Sequence, residues 1–311
     1  MTRYVVCGEA LIDLIPDLDA ERSTISSIWD ARSAGGPMNS AIALARQGQR
    51  VEFLGRLGSD RFGRQLTSHL EANNVGLKLA AETSQATSLA IVSLDSKGHA
   101  TYNFHFSNTA NFGWQANELP ELGVNDWLHI ASLVLVVPPG DAALLEWVKG
   151  GTTPMSIDVN VRPTVMPDPE EYWTKIEPWL IAVGARRGII KGSDEDIAFL
   201  AGPARLPRLA GNAGVELARR YGAPWVVLTL GEDGAVACNA EGDIIRVPVR
   251  PVDVVDTVGA GDTFMSGFLS AYVGDQLSLR DSLRRGVVAS SIVCTRKGAN
   301  PPTMEEIEAL S

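Results

Sequence analysis

Short apolar, β-branched runs alternate along the chain with stretches whose apolar residues recur every three or four positions. RYVVCG, RVEFLG, WLHIA, MSIDV, RGIIK and WVVLTLG predict buried strands. Between or after them, AIALARQG, GRQLTSHLEANN, AALLEWVKG and GVELARRYG have helical spacing, and Gly48 and Gly222 stand where helices should stop. Alternation of this kind predicts a mainly parallel sheet with helices on both faces. Two strong helices end the chain. TFMSGFLSAYV sets Phe264, Phe268 and Tyr272 on one side. LSLRDSLRRGVVASSIVCTRKGA opens on a Ser278 cap and carries Leu279, Leu283, Val287 and Ile292.

Two regions depart from this pattern. Residues 11–34 alternate apolar and polar residues without helical spacing. Residues 86–106 read as two strands around a turn at Asp95–Gly98. Together they predict a small second sheet projecting from the main one, with ordinary edge strands as the alternative. No linker, repeat or low-complexity tract divides the chain, so residues 1–311 are expected to form a single α/β domain.

Composition narrows the function. With 311 residues, 45% of them hydrophobic, the chain can bury a large core. A net charge of −10 argues against a nucleic-acid partner, because phosphate backbones call for a basic face. No apolar run approaches the ~20 residues that span a bilayer. Glu9 and Asp13 interrupt the apolar N-terminal stretch, which reads as a first strand rather than a signal peptide. No membrane partner and a cytoplasmic location are expected. Cys7, Cys238 and Cys294 lie far apart, and His69, His99, His105 and His129 are scattered with no HExxH, so neither a disulfide framework nor a zinc site is indicated. Acidity does not exclude a phosphate ligand; local amides, lysines or metals must then carry the charge.

One stretch offers such amides. In DTVGAGDTF, residues 256–264, a turn ending at Val258 feeds a helix starting near Gly259. The first amides of a helix lack intrahelical partners and sit at its positive end. Gly259, Ala260 and Gly261 therefore make a candidate anion hole for phosphate. Asp262 beside it would repel the anion, but as a general base it could take a proton from an attacking hydroxyl. Glycines before a helix are also common caps, so GAGD alone is weak. GxxxxGK[ST] is absent, and Phe264 stands where a dinucleotide fingerprint would place its third glycine.

DTVGAGDTFMSGFLSAY resembles the C-terminal signature of the PfkB (ribokinase-like) carbohydrate kinases, and SAGGPMNSAIALARQG, residues 33–48, resembles their N-terminal glycine-pair signature. GEALIDL, GRLGSDRFG, IDVNVRP, TLGEDGA and TRKGA agree, so the resemblance covers essentially the whole chain. It implies a ribokinase-like three-layer α/β/α fold with a mainly parallel central sheet and a small β-sheet lid, formed by about residues 11–34 and 86–112. It implies Asp262 as catalytic base, with Gly259, Ala260 and Gly261 as anion hole. Asp13, Gly35, Gly36 and Asn39 would bind sugar hydroxyls; a tight turn is the alternative for the glycine pair. Thr229, Gly231 and Gly234 would border ATP, with Gly298 and Asn300 flanking the adenine. Asp256 matches a position that holds a monovalent cation such as potassium; a turn-stabilising aspartate is the alternative. In the magnesium motif Ser193 replaces an asparagine and Asp196 a glutamate, leaving Asp196 and Asp194 as candidate magnesium residues, or else a helix N-cap with acidic first-turn residues.

The substrate follows from the same resemblance. DVNVRP and LHIASLVLVVPPG are similar to fructokinases, with Asn160 and Arg162 near the sugar and Asp158 inside or near the cleft. Tyr102 and Phe104 fall in the expected lid, where they could stack on a sugar or be ordinary strand residues. YNFHFSNTANF lacks the arginine that 2-keto-3-deoxygluconate kinases use for a carboxylate, which favours a neutral ketohexose such as fructose. 2-Keto-3-deoxygluconate, another sugar, a nucleoside, or a non-catalytic sensor on the same fold remain alternatives. Small-molecule sugar and ATP are the expected partners, with a homodimer through the lid permitted by Leu89, Ile91 and Phe106.

Overall fold

The structure is a computed structural model, and it describes residues 2–17, 25–94 and 100–310. In chain order the strands and helices are β1 (Arg3–Cys7), β2 (Leu11–Pro16), β3 (Trp29–Ala34), α1 (Gly36–Arg46), β4 (Arg50–Leu54), β5 (Arg56–Gly58), α2 (Arg61–Ala72), β6 (Ala81–Thr83), β7 (Leu89–Leu94), β8 (Ala100–His105), β9 (Asp126–Ala131), α3 (Gly140–Gly150), β10 (Met155–Asp158), α4 (Pro169–Ala185), β11 (Ile189–Ser193), α5 (Asp194–Ala204), α6 (Ala210–Tyr221), β12 (Trp225–Thr229), β13 (Ala235–Cys238), β14 (Ile244–Val247), α7 (Ala260–Leu269), α8 (Leu279–Cys294) and α9 (Met304–Glu308). The central sheet runs β14-β13-β12-β11-β10-β9-β1-β4. From β4 to β12 every pairing is parallel; β13 and β14 add an antiparallel hairpin at one edge.

Side-chain alternation along these strands separates the helices into two layers. Val5, Cys7, Ile190, Val226 and Leu228 face a core closed by Leu144 of α3, Tyr172 and Trp179 of α4, Ile197 of α5 and Leu217 of α6. Tyr4, Val6, Ile189 and Val227 face the opposite core, closed by Met38 of α1, Leu66 of α2, Phe264 and Phe268 of α7 and Leu283 of α8. The three-layer α/β/α arrangement expected from the sequence is therefore present. Gly222 ends α6, and Ser278 caps α8 by accepting the amide of Asp281. The first of the two helices expected at the end divides: α7 stops at Leu269 and a π-helical turn, Ser270–Gly274, carries Tyr272 onto Phe268.

The two irregular regions form one separate sheet, β3-β2-β7-β8, in which β2 and β7 are parallel and both outer pairs antiparallel. The turn expected at Asp95–Gly98 lies outside the described residues apart from the strands it joins. Tyr102, Phe104 and Phe106 alternate with exposed Thr101, Asn103 and His105, and their rings follow one another at 6.0 and 5.9 Å. Leu89 and Phe106, considered above for a dimer, are half-buried and pack on their own chain's cores.

Candidate active site

At the C-terminal ends of the parallel strands, beneath this smaller sheet, lies a cleft of about 720 Å³. That is where open parallel sheets present ligand sites. Its floor is the start of α7. Gly259 caps the helix with a left-handed backbone (φ 77°), and among the described residues no side-chain cap bond closes the first turn. Of the expected anion hole, the Ala260 amide is taken by the Thr257 carbonyl at 3.2 Å, whereas among the described residues no acceptor meets the amides of Gly261 and its neighbour Asp262. Asp262, 7% exposed, turns its carboxylate to Asn39, whose Nδ2 donates to Oδ2 at 2.9 Å. Burial raises the pKa of Asp262, against the opposing pull of Asn39, Lys191 and Arg162.

The glycine pair sets the opposite wall. Gly35 (φ 126°) lies over the carbonyl of Glu9, where a Cβ would approach to 2.5 Å, so a side chain there is excluded. A Cβ on Gly36 would lie 3.0 Å from Oδ1 of Asp262 and 3.3 Å from Nδ2 of Asn160. Gly36, Asn39, Asn160 and Asp262 thus converge from α1, the β10 exit and α7. Arg162 Nη1 donates to Oδ1 of Asn160 at 2.5 Å. Asp13, Tyr102 and Phe104 of the small sheet complete the upper wall. Burial pushes Asp13 up to about 6, with Arg32 and Arg162 opposing.

Lys191, which the sequence reading did not single out, lines the same cleft. It is 3% exposed and its Nζ meets Asp158 Oδ2 at 2.7 Å. A Cβ on Gly261 would lie 3.0 Å from that ammonium. Burial disfavours the charge, but Asp158, Asp196 and Asp262 outweigh it and hold the Lys191 pKa above its ordinary value. Asp158 itself stands behind the lysine and not on the cleft wall. The missed signal was period two: Ile189, Lys191 and Ser193 share one face of β11, and the strand's C-terminal end carries that face to the site.

The remaining expected residues divide. Thr229, at the end of β12, lines the cleft. Gly231 and Gly234 do not; they shape the turn from β12 to β13, where Gly234 lets the backbone of Val247 approach. Gly298 and Asp256 border a second cavity of about 720 Å³ that shares Asp13, Asn39, Tyr102 and Val258 with the first. Both oxygens of Asp256 accept amides, from Val258 at 3.0 Å and Gly298 at 2.8 Å, as a turn-stabilising aspartate would. Asn300 is exposed and held outside the cleft by Arg46, at 2.5 Å. Asp196 lies on the wall, yet Oδ1 accepts the Val161 amide at 2.8 Å and Oδ2 the Ser193 amide at 2.7 Å. Asp194 is exposed and outside the lining, whereas its neighbour Glu195 is on it. A further groove of about 750 Å³ opens between the stretch after β14 and α8, with Val247, Val249, Val252, Val287 and Ile292 as its apolar lining. It is assembled from distant segments, and no contiguous motif announced it.

A carboxylate beside a helix start that its glycine cap leaves open, with a buried ammonium next to it, is an arrangement suited to phosphoryl transfer, and it faces a polar pocket. The pfkB family carbohydrate kinase model matches residues 1–306, and the chain belongs to that family. The fructokinase of Klebsiella pneumoniae is 31% identical over 303 residues, covering 94% of each chain. The fructokinase of Vibrio cholerae O395, in a crystal structure with fructose, ADP and calcium ion, superposes with a TM-score of 0.85 at 26% identity, covering 99% of this chain and 98% of that one. The aminoimidazole riboside kinase of Salmonella enterica, complexed with aminoimidazole riboside and an ATP analogue, matches with a TM-score of 0.81 at 25% identity, over 99% of each chain.

Proposed function

We propose that this protein is an ATP-dependent fructose kinase. The observation that carries the reading is the convergence of Gly36, Asn39 and Asn160 on the Asp262 carboxylate at the open start of α7. Similarity to fructokinases supports the sugar. The ketohexose lies under the small sheet, which acts as its lid, between Asp13, Asn39, Gly35–Gly36, Tyr102 and Phe104. Arg162 and Asn160 close its inner side. A hydroxyl of the sugar gives its proton to Asp262 as its oxygen attacks the γ-phosphorus of ATP. The amides of Gly261 and Asp262 and the ammonium of Lys191 take up charge on the transferring phosphoryl group. ADP leaves along Thr229, and its adenine fits the apolar groove between Val249–Val252 and α8.

Magnesium would neutralise phosphate charge. Asp196 already gives both oxygens to backbone amides. The site therefore suits an ion carried on the phosphates and held through water by Glu195 and Asp196. Asp256 and the loop around Gly298 are where a potassium ion would bind. An ATP substrate places the reaction in the cytoplasm, and among the described residues no helix is long and apolar enough to cross a membrane. Trp29 of β3, 40% exposed, offers the lid edge as a dimer surface.

ADP release with magnesium and potassium, measured for fructose, 2-keto-3-deoxygluconate, ribose, glucose, tagatose and aminoimidazole riboside, tests the assignment. Turnover highest on fructose is expected. Preference for a riboside would move the protein to the nucleoside kinases, and sugar binding without turnover would make it a sensor.

A further inference from the structure

Glu9 is a buried charge that the mechanism above does not use. It stands in the turn from β1 to β2, is 2% exposed, and lines the cleft that holds Asp262 and Arg162. Its own backbone amide and Ser132 hydrogen-bond its carboxyl, but among the described residues Oε2 has no partner. The surroundings fix it firmly. Asn111 grips Ala10 at both amide and carbonyl, at 3.3 and 2.9 Å. Ser132 holds a left-handed backbone (φ 68°), a strained conformation for a residue with a side chain. Across the cleft Arg162 is also short of a counter-charge. Its Nη1 serves Asn160 and the Val161 carbonyl, and among the described residues no carboxylate forms a salt bridge with it.

An unmatched buried carboxylate and an unmatched guanidinium sharing one cleft are a pair awaiting closure. We propose that Glu9 is a positioning residue of the sugar site: ionised, it draws the Arg162 guanidinium over the bound sugar, and protonated, it releases it. The inference rests on the kinase reading. Burial pushes Glu9 up to about 7, against its own backbone amide, Ser132 and Arg162, with Asp262 adding to the rise. The other groups facing it, the Cys7 thiol and the Tyr172 phenol, are pushed upward by burial and stay neutral between pH 6 and 8. The sign is then fixed. The pair is complete above pH 7 and is lost as pH falls through 7.

The test is the KM for fructose from pH 5.5 to 8.5 in wild type, Glu9→Gln, Arg162→Met and the double variant, with thermal melts to confirm folding. At pH 8, Glu9→Gln should raise the fructose KM about tenfold, as the loss of a charged hydrogen bond does, and leave the ATP KM unchanged. Near pH 6 the two proteins should converge, leaving an inflection from Asp13. In the Arg162→Met background, Glu9→Gln should change nothing further. Should Glu9→Gln fail to fold, Arg162→Met alone decides, by losing the wild-type inflection near 7. Equal KM values for folded Glu9→Gln and wild type at pH 8, an undiminished Glu9→Gln effect without Arg162, or a persistent inflection in Arg162→Met would each overturn the proposal. Wild type that neither binds nor phosphorylates any sugar would instead sink the kinase reading, and this inference with it.

Discussion

Two helices, α5 and α7, begin at the C-terminal edge of the central sheet, and both carry aspartate at the third helical position. At α5 that residue is Asp196. Ser193 caps the helix, its Oγ accepting the Asp196 amide at 3.0 Å while Asp196 returns a bond to the Ser193 amide. At α7 it is Asp262, and the cap is Gly259, which has no side chain to offer. The Asp262 carboxylate has no such cap bond and turns to Asn39 in the cleft. One side chain at one helical position therefore has two fates, decided by the cap residue. A serine closes the positive end of the dipole with the protein's own oxygens; a glycine leaves it open to an outside anion.

Removing the α7 carboxylate should break the comparison most severely. Asp262→Asn keeps the shape and loses the base, so kcat should fall by about 10²–10⁴, with fructose and ATP affinity within a few-fold by calorimetry. Turnover near wild type would end the assignment of Asp262. Because burial raises its pKa, the base should lose activity, as pH falls, at a higher pH than an ordinary carboxylate would. The same sign governs stability. A raised pKa means the folded state holds the proton more tightly than the unfolded, so ionised Asp262 is destabilising at neutral pH. Asp262→Asn should melt higher than wild type at pH 8, with the margin shrinking in acid.

Lys191 comes next in size. Lys191→Met would leave Asp158 buried without its partner, which costs about 3–5 kcal/mol. Pairing it with Asp158→Asn separates folding from chemistry. The double variant should regain much of the melting temperature while kcat stays down about 10²-fold, the scale of losing one preorganised donor. If kcat returned with stability, Lys191 would be scaffolding for the strand ends.

How much of this was legible depended on whether a residue's reason was local. Gly259 and Gly35 could be read because their conformations are requirements of the backbone, and sequence writes such requirements as glycine. The second sheet could be read from period-two alternation at Tyr102, Phe104 and Phe106. Lys191 closes a strand that read as RGIIK and drew no attention, since only the β10–β11 register brings Asp158 against it. Glu9 served only as evidence against a signal peptide, because the folded turn is what aims it inward. Asn300 failed for a similar reason: Arg46 of α1, 254 positions earlier in the chain, claims its side chain. The groove between Val249–Val252 and α8 needs three remote segments, so no run of residues could announce it.

The smallest effect tests the closed helix start. Ser193→Ala removes the cap of α5 and should cost about 1 kcal/mol, read as a lower melting temperature, while kcat and the magnesium requirement stay within twofold. Asp196→Asn also weakens the cap, since an amide accepts through one oxygen where the carboxylate uses two. If Asp196 additionally holds magnesium through water, its variant should need several-fold more magnesium for half-maximal rate at saturating ATP. Magnesium titrations of the two variants side by side separate these roles. Equal, unshifted curves would make Asp196 a cap and nothing more, and would leave Glu195 as the carboxylate on that wall able to reach the metal's waters. A shift in Asp196→Asn alone would mean that one aspartate closes a helix and faces the nucleotide at once, and that the contrast between α5 and α7 is one of degree.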